Sequence, residues 1–535
     1  MEVAFGVLGG LGLFLYGMNI MGTGLQKVAG ERLKNLIGIL TNNRFMGVIV
    51  GALVTAIVQS SSATTVMVVG FVNAGIMKLT QAIGVIMGAN IGTTITGQLI
   101  AFKLTAIAPI VVAIGVGILI FSSKKKHKQI AEALIGFGIL FVGMDLMKES
   151  LDPLKESEAF NNALHGLNNP LIGILVGFAM TVLVQSSSAS MGVLLTLGSQ
   201  GMITIEMALP ILYGDNIGTC VTALLSSIGA SKTAKRAAVM HLLFNLIGTA
   251  IFMLVLRIPI EWAVQEISKN DVSRQIANAH TFFNIINVAI LIWFAPLIVK
   301  AAKKLVPGED EDTNGLKYLD ARIIETPSIA VGQASKEVLR MGRLVQENLR
   351  TSIKAFITKD EKLTHKVFKE EKRINQLESD ITEYLVQLYN APLTDMQNST
   401  VTTLFHTIND LERVGDHADN LAELAQYRID NKFWFTDNAL DELQIMFDKV
   451  EHSFKNALIA FKNADPKVAK NVIANEQDID LLEKQYRANH IDRLNKQKCH
   501  PSSGIVFLDV ISNLERVADH SSNISISILD ALENK

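Results

Sequence analysis

A single offset organises the first half of the chain. Gly17-Met18 recurs as Gly143-Met144, Gly51 as Gly177, and Gln59-Ser60-Ser61-Ser62-Ala63 as Gln185-Ser186-Ser187-Ser188-Ala189, always 126 positions apart. Gly88-Ala-Asn90-Ile-Gly92-Thr93 recurs as Gly214-Asp215-Asn216-Ile-Gly218-Thr219 at the same offset, with no gap needed. A gapless duplication demands two equivalent units, so any fold proposed for the first copy must also suit the second.

The composition around this repeat is that of a membrane protein. Residues 1–300 carry 13 acidic and 19 basic side chains, against 38 and 30 in 301–535, and 32 of the 38 glycines precede position 300. The two parts have net charges of +6 and −8, which the overall value of −2 conceals. Apolar, glycine-rich and charge-poor sequence suits a bilayer; charged, glycine-poor sequence suits soluble helices. Cys220 and Cys499 fall in different parts, so neither a disulfide framework nor a zinc spacing follows. Residues 3–20 lack a basic n-region and read as a spanning helix, not a cleaved signal.

Spanning helices, each needing roughly 20 apolar residues, are expected at 3–25, 80–100, 104–121, 130–148, 205–228, 237–257 and 280–300. Two more apolar stretches, 45–77 and 170–200, are each interrupted by a Q-S-S-S cluster. Such broken helices persist in a bilayer only where protein or a watery cavity satisfies the freed backbone groups. Placing Lys124–Lys128, Lys232/Lys235/Arg236 and Lys300/Lys303/Lys304 in the cytoplasm makes the interrupted stretches re-entrant hairpins. Span 3–25 then runs inward to a cytoplasmic loop with Lys27, Arg32, Lys34 and Arg44, and its counterpart 130–148 runs outward. The expected fold is therefore all-α, with two inverted repeats (3–121 and 130–300). Interrupted helices meeting near the midplane are how many secondary transporters build a binding site.

The interruptions carry the chemistry. Gln59, Ser60, Ser61 and Ser62, with Gln185, Ser186, Ser187 and Ser188, supply hydroxyls that donate and accept and amides that do both. These groups replace water around an oxyanion, and their oxygens suit sodium. A lone cluster would serve equally to glue helices; two at symmetric breaks point to binding. Asn90, Thr93, Asn216 and Thr219 are candidate ligands beside them, with Gly88, Gly92, Gly214 and Gly218 permitting close packing. Asp215 breaks the symmetry, its counterpart being Ala89. It is either a cation ligand or a carboxylate at the membrane edge. No Lys or Arg lies inside a predicted hairpin, so a bound anion needs its charge offset by bound cations. His241-Leu-Leu-Phe-Asn245 and His280-Thr-Phe-Phe-Asn284 echo one another in the last two spans, where they are expected to brace helices.

Beyond Pro307-Gly-Glu-Asp-Glu-Asp312, charged and apolar residues alternate at helical spacing. A linker is expected at 306–325 and a soluble bundle of two tandem three-helix units at 326–535. Glu371, Ile374 and Glu378 recur as Glu476, Ile479 and Glu483, and Leu411-Glu-Arg-Val-Gly-Asp-His417 recurs as Leu514-Glu-Arg-Val-Ala-Asp-His520. Glu412, Asp416 and Asn420 share one helix face, as do Glu515, Asp519 and Asn523, so each trio could gather a divalent or trivalent metal. The bland alternative is a solvated face with Arg413 and Arg516 in salt bridges.

Paired Q-S-S-S segments, each followed by G-x-N-I-G-T, resemble the sodium/phosphate cotransporter family over about residues 1–300. The duplicated L-E-R-V-x-D-H resembles the PhoU phosphate-regulatory proteins over about 330–530. The resemblance implies a plasma-membrane symporter with a cytoplasmic tail, and it implies that both Q-S-S-S segments line the phosphate and sodium sites. It also implies alternating access, sodium as coupling ion, no required cofactor, a metal in the tail, and regulatory protein contacts through it. Nucleic acid is not an expected partner. Net export, or phosphate sensing without flux, remains open on the same fold. An enzyme is not expected: there is no G-x-S-G segment, and three serines after a glutamine do not resemble an activated nucleophile.

Overall fold

The computed structural model describes residues 2–38, 43–102, 104–308, 315–324 and 326–533, and among these it is helical with no strand. The chain divides into two compact units, Met1–Glu311 and Asp312–Lys535.

The first unit contains α1 (Glu2–Gly38), α2 (Arg44–Val58), α3 (Ser61–Asn73), α4 (Leu79–Ala101), α5 (Ala108–Phe121), α6 (Lys125–Leu151) and α7 (Glu158–His165). It continues with α8 (Pro170–Val184), α9 (Ser187–Ser199), α10 (Ile205–Gly218), α11 (Cys220–Ser226), α12 (Lys232–Ile251), α13 (Arg257–Ile267), α14 (Val272–Leu291) and α15 (Ala295–Leu305). Among the described residues, six helical segments are long and apolar enough to span a bilayer: Val3–Ala29, Leu79–Ala101, Leu104–Phe121, Lys125–Glu156, Ile205–Ser226 and Lys232–Ile267.

The 126-residue offset is written into the backbone. Helices α2 and α3 are reproduced by α8 and α9, and the turns that follow each pair hold Gly75 and Gly201 at φ 66° and 69°, a conformation glycine adopts without strain. Asn43 caps α2 by accepting from the Phe45 N–H, and Asn169 caps α8 by accepting from the Leu171 N–H. A Cβ on Gly51 would lie 2.1 Å from the Val85 carbonyl oxygen, and one on Gly177 would lie 1.9 Å from that of Ile211. Gly88 and Gly214 likewise face the Val48 and Ile174 carbonyls, as glycines kept for close helix approach should.

The copies join through α1 and α6, which run antiparallel. Gly10 abuts Gly143, and Gly17 abuts Gly136. Because Gly10 corresponds to Gly136 and Gly17 to Gly143, each partner offers the same two positions to the other, the signature of an isologous two-fold contact.

Two of the expected spans differ. Helix α1 does not give way to a loop after residue 25 but continues through Lys27, Arg32 and Lys34 to Gly38. The α6 seam extends with it: Gly24 packs on Ala133, and Lys27 pairs with Glu132 at 2.8 Å. The stretch 280–300 is not one span, because α14 and α15 meet at 85°. Pro296 sits in the first turn of α15 and starts a new helix in place of continuing the old one. Helix α15 buries Ala295, Ile298, Val299 and Ala302 and exposes Lys300, Lys303 and Lys304.

The second unit comprises α16 (Pro327–Thr358), α17 (Glu361–Tyr389), α18 (Asp395–Asp430), α19 (Asp437–Asn463), α20 (Pro466–Asn495) and α21 (Pro501–Glu533). Helices α16–α18 pack as one trio and α19–α21 as another, joined chiefly along α18 and α21. Part of the expected linker (309–314 and 325) lies outside the described residues. Of its remainder, 306–308 stay with the first unit, where Arg236 donates to the Val306 carbonyl at 3.0 Å, and 315–324 fold onto the bundle: the N–H groups of Lys317 and Tyr318 donate to the buried Glu337 carboxylate at 3.0 and 2.5 Å.

Candidate functional site

Each Q-S-S-S cluster forms the break between two helices. Gln59 and Gln185 take left-handed conformations (φ 58° and 57°), and each peptide N–H still closes the preceding helix by donating to Thr55 or Thr181. Ser60 and Ser186 are extended, and their hydroxyls cap the next helix by accepting from the N–H of Ala63 and Ala189 at 3.1 and 3.2 Å. Ser61, Ser187 and Ser188 are buried in the first turns of α3 and α9, with Ser62 half-buried. Two helix N-termini thus carry serine hydroxyls and incompletely paired N–H groups, a combination suited to an oxyanion.

The surroundings of the two breaks differ. The Gln59 side chain is buried and accepts from the Thr96 hydroxyl at 2.8 Å, while its amide donates to Ala56. The Gln185 side chain is exposed; its amide donates to Val182 at 2.6 Å, and Thr222, the counterpart of Thr96, donates instead to Thr219. Thr55 donates to Thr64 at 3.0 Å, and Thr181 lies 3.0 Å from Ser190 at the equivalent place. Thr181 also donates to Asp215, which is 3% exposed. The carboxylate therefore lies in the protein interior.

Among the G-x-N-I-G-T residues, Thr93 and Thr219 turn their hydroxyls back to Ala89 and Asp215 carbonyls of their own helices. Asn90 donates to Asn245 at 2.8 Å and lies 3.3 Å from His241, while Asn245 donates to Cys220 at 3.2 Å. The first H-x-x-F-N segment thus braces α12 against α4 and α11. Among the described residues Asn216, the counterpart of Asn90, donates only to Leu212 of its own helix, at 2.9 Å. Sequence reasoning passed over Thr55, Thr64, Thr96, Thr181 and Ser190; the signal available was that Thr55/Thr181 and Thr64/Ser190 obey the same offset.

In the second unit the carboxylates gather across helices. Oxygens of Glu476, Asp480 and Asp519 all lie within 4.8 Å of one another. Burial, then mutual repulsion, holds Glu476 above the usual carboxylate range, and the same crowding raises Glu515. In the other trio, burial and the charges of Asp419, Asp416 and Glu412 push Glu371 up to about 7, opposed by the Asn375 side chain. Like charges crowded around a buried carboxylate suit a cation. The asparagines of the predicted trios do not join them. Asn420 donates to Asn513 at 3.2 Å and Asn523 to Asp410 at 3.4 Å, because both point across the α18/α21 seam, where His417 meets Asn513 and His520 meets Asp410. Arg413 and Arg516 also pair with Asp416 and Asp519 at 3.3 and 3.5 Å.

Comparison with known proteins agrees with this division. The Na+/Pi-cotransporter family matches residues 13–149 and 151–292, and the PhoU domain matches 338–425 and 443–528. The Salmonella typhimurium protein YjbB, whose name assigns it provisionally to inorganic phosphate export, is 25% identical over 98% of this chain and 97% of its own. A Thermotoga maritima homologue of the PhoU accessory protein of phosphate-specific transport is 29% identical over 36% of this chain and 83% of its own. The rat sodium-dependent phosphate transport protein 2A is 38% identical over 18% of this chain and 15% of its own.

Proposed function

The chain belongs to the Na+/Pi-cotransporter family and carries a PhoU domain in two copies, and from that premise we propose that it moves inorganic phosphate across the membrane coupled to sodium. The observation that carries this reading is the pair of equivalent helix breaks, with a carboxylate beside one of them. Phosphate is held by Ser60, Ser61 and Ser62 with Ser186, Ser187 and Ser188, assisted by Gln59 and Gln185. Sodium is held by Asp215 with Thr181 and Ser190, and by oxygens of Asn90, Thr93, Asn216 and Thr219 as they become free. Bound sodium supplies the positive charge that lysine and arginine do not provide inside the breaks.

The antiparallel α1/α6 seam favours copies inverted in the bilayer, with α2/α3 and α8/α9 as re-entrant hairpins entering from opposite sides and alternating access between them. The basic groups Lys124–Lys128, Lys232/Lys235/Arg236 and Lys300/Lys303/Lys304 then face the cytoplasm of the cell membrane, and the tail follows them there. In the tail, Glu476, Asp480 and Asp519, with Glu515, form one metal site, and Glu371, Glu412 and Asp416 form a weaker one. Metal occupancy and protein contacts through the tail adjust flux to phosphate status.

Full-length protein in proteoliposomes, given radiolabelled phosphate under a sodium or an equal potassium gradient, tests the reading. Sodium-dependent movement is expected, with Ser61→Ala and Ser187→Ala each abolishing it in folded protein. Normal flux in both variants would sink the site assignment. The export named for YjbB favours a second reading on the same machinery, in which net movement is outward. Efflux from phosphate-loaded vesicles against uptake into empty ones decides between them.

A further inference from the structure

The two H-x-x-F-N segments are alike in sequence and unlike in their bonding. On α12, His241, Asn245 and Thr249 lie on one face; on α14, His280, Asn284 and Asn287 do. His280, Asn284 and Asn287 are 2%, 0% and 1% exposed. Asn245 and Asn284 donate alike to the carbonyl four residues back, at 3.1 and 2.9 Å, which fixes the outward atom of each amide as its oxygen. The Asn245 oxygen accepts from Asn90. The Asn284 oxygen has no partner among the described residues, and neither do Asn287 Oδ1, Asn287 Nδ2, His280 Nδ1 or Thr249 Oγ1.

Gly248 and Asn287 hold the same place after their respective H-x-x-F-N segments, and they meet. A Cβ on Gly248 would lie 2.2–2.5 Å from the Asn287 carboxamide. The missing side chain on α12 is what gives the Asn287 amide its room. Asn284 and Asn287, one turn apart on a single face, are close enough to share a ligand. A buried polar group left unpaired bears its full desolvation cost, so a stripe of them in an apolar interior calls for an occupant. The unmatched atoms are neutral and include two carboxamide oxygens and a hydroxyl, hard ligands that suit a monovalent cation; a divalent ion needs carboxylates.

We propose that the carboxamide oxygens of Asn284 and Asn287, set against Gly248, bind one sodium ion between α12 and α14, distinct from the Q-S-S-S breaks and from Asp215. This rests on the sodium-coupled reading and adds an ion site to it. The site joins the helices that follow the second copy's hairpin, so filling it ties α14 to α12 as Asn90 already ties α12 to α4.

Equilibrium binding of radiolabelled sodium to the purified full-length protein, without phosphate, tests the assignment. Asn287→Leu is expected to lose one sodium equivalent and keep the rest. Asn287→Asp places a charge at the same point and is expected to tighten that one equivalent by about ten-fold or more. An Asn287→Leu protein that runs as a monodisperse species and binds sodium as wild type does would overturn the site. Should that variant not fold, unchanged affinity in Asn287→Asp overturns it instead. Wild-type protein that binds no sodium sinks the coupled reading and this site together; sodium-binding wild type with unaltered variants sinks only the site.

Discussion

The two copies of the membrane unit share a backbone and differ in how their polar groups are spent. In the first copy nearly every group is committed: Gln59 to Thr96, Thr55 to Thr64, Asn90 to Asn245 and His241. In the second, Gln185 is exposed, Asn216 bonds only its own helix, and Thr181 serves a buried carboxylate that the first copy lacks. A buried hydrogen-bond network rigidifies what it connects. The first copy therefore reads as scaffold and the second as the part whose bonds are free to change. The tail copies differ in the same way: Asp480 stands where the other trio has Asn375, Ser522 stands where it has Asp419, and the trio with Asp480 is the one whose ligand atoms converge.

The sharpest way to break this comparison is to exchange its one charge. Asp215→Ala should lower sodium-dependent phosphate movement by at least about 100-fold, equivalent to ~2.7 kcal/mol of barrier, while the protein still folds. Flux retained within a factor of three would mean the copies are functionally alike. Next in size is the amide pair. Asn90→Ala strands Asn245 and His241 and should destabilise the membrane unit by ~1–3 kcal/mol, read as earlier thermal unfolding in detergent; Asn216→Ala should cost less than about half of that. Equal losses would dissolve the scaffold reading. Gln59→Leu against Gln185→Leu should show the same order on a smaller scale, ~1 kcal/mol against none.

The smallest effect concerns the tail. Glu371 rises from its ordinary 4.5 to about 7 in the folded state, so folding favours its protonated form. The stability it contributes is complete below 4.5 and is lost as pH rises through 7. In chelator, the tail's melting transition should therefore fall by roughly 2–4 °C per kcal/mol lost between pH 5 and 8. Glu371→Gln should flatten that slope, as should a divalent cation in the wild type. An unchanged slope in Glu371→Gln would assign it to other groups.

Much of this was legible in the sequence, and the failures have physical causes. The breaks at Gln59 and Gln185 could be placed because polar clusters interrupt apolar runs at one offset. The bend after α14 was hidden by apolarity continuing through Trp293 and Phe294, although Pro296 was there to signal it. The overrun of α1 depends on a partner helix, α6, that no local pattern announces. In the tail, helix-face periodicity grouped Asn420 with Glu412 and Asp416, but the other trio competes for that asparagine through Asn513. Glu476 and Asp480 were missed as partners of Asp519 because they come from α20 and meet it only in three dimensions.

The glycine seam between α1 and α6 has a consequence for how such a molecule can change over time. Its reciprocal pairs, Gly10 with Gly143 and Gly136 with Gly17, have the form of a homodimer interface in a chain that cannot dissociate. A dimer of identical subunits receives every substitution twice, once on each side of its axis. Here a change such as Ala89 against Asp215 falls on one side alone, while the seam keeps the partners in register at any protein concentration. Fusion thus turns a symmetric assembly into one whose halves can take up separate duties without losing each other.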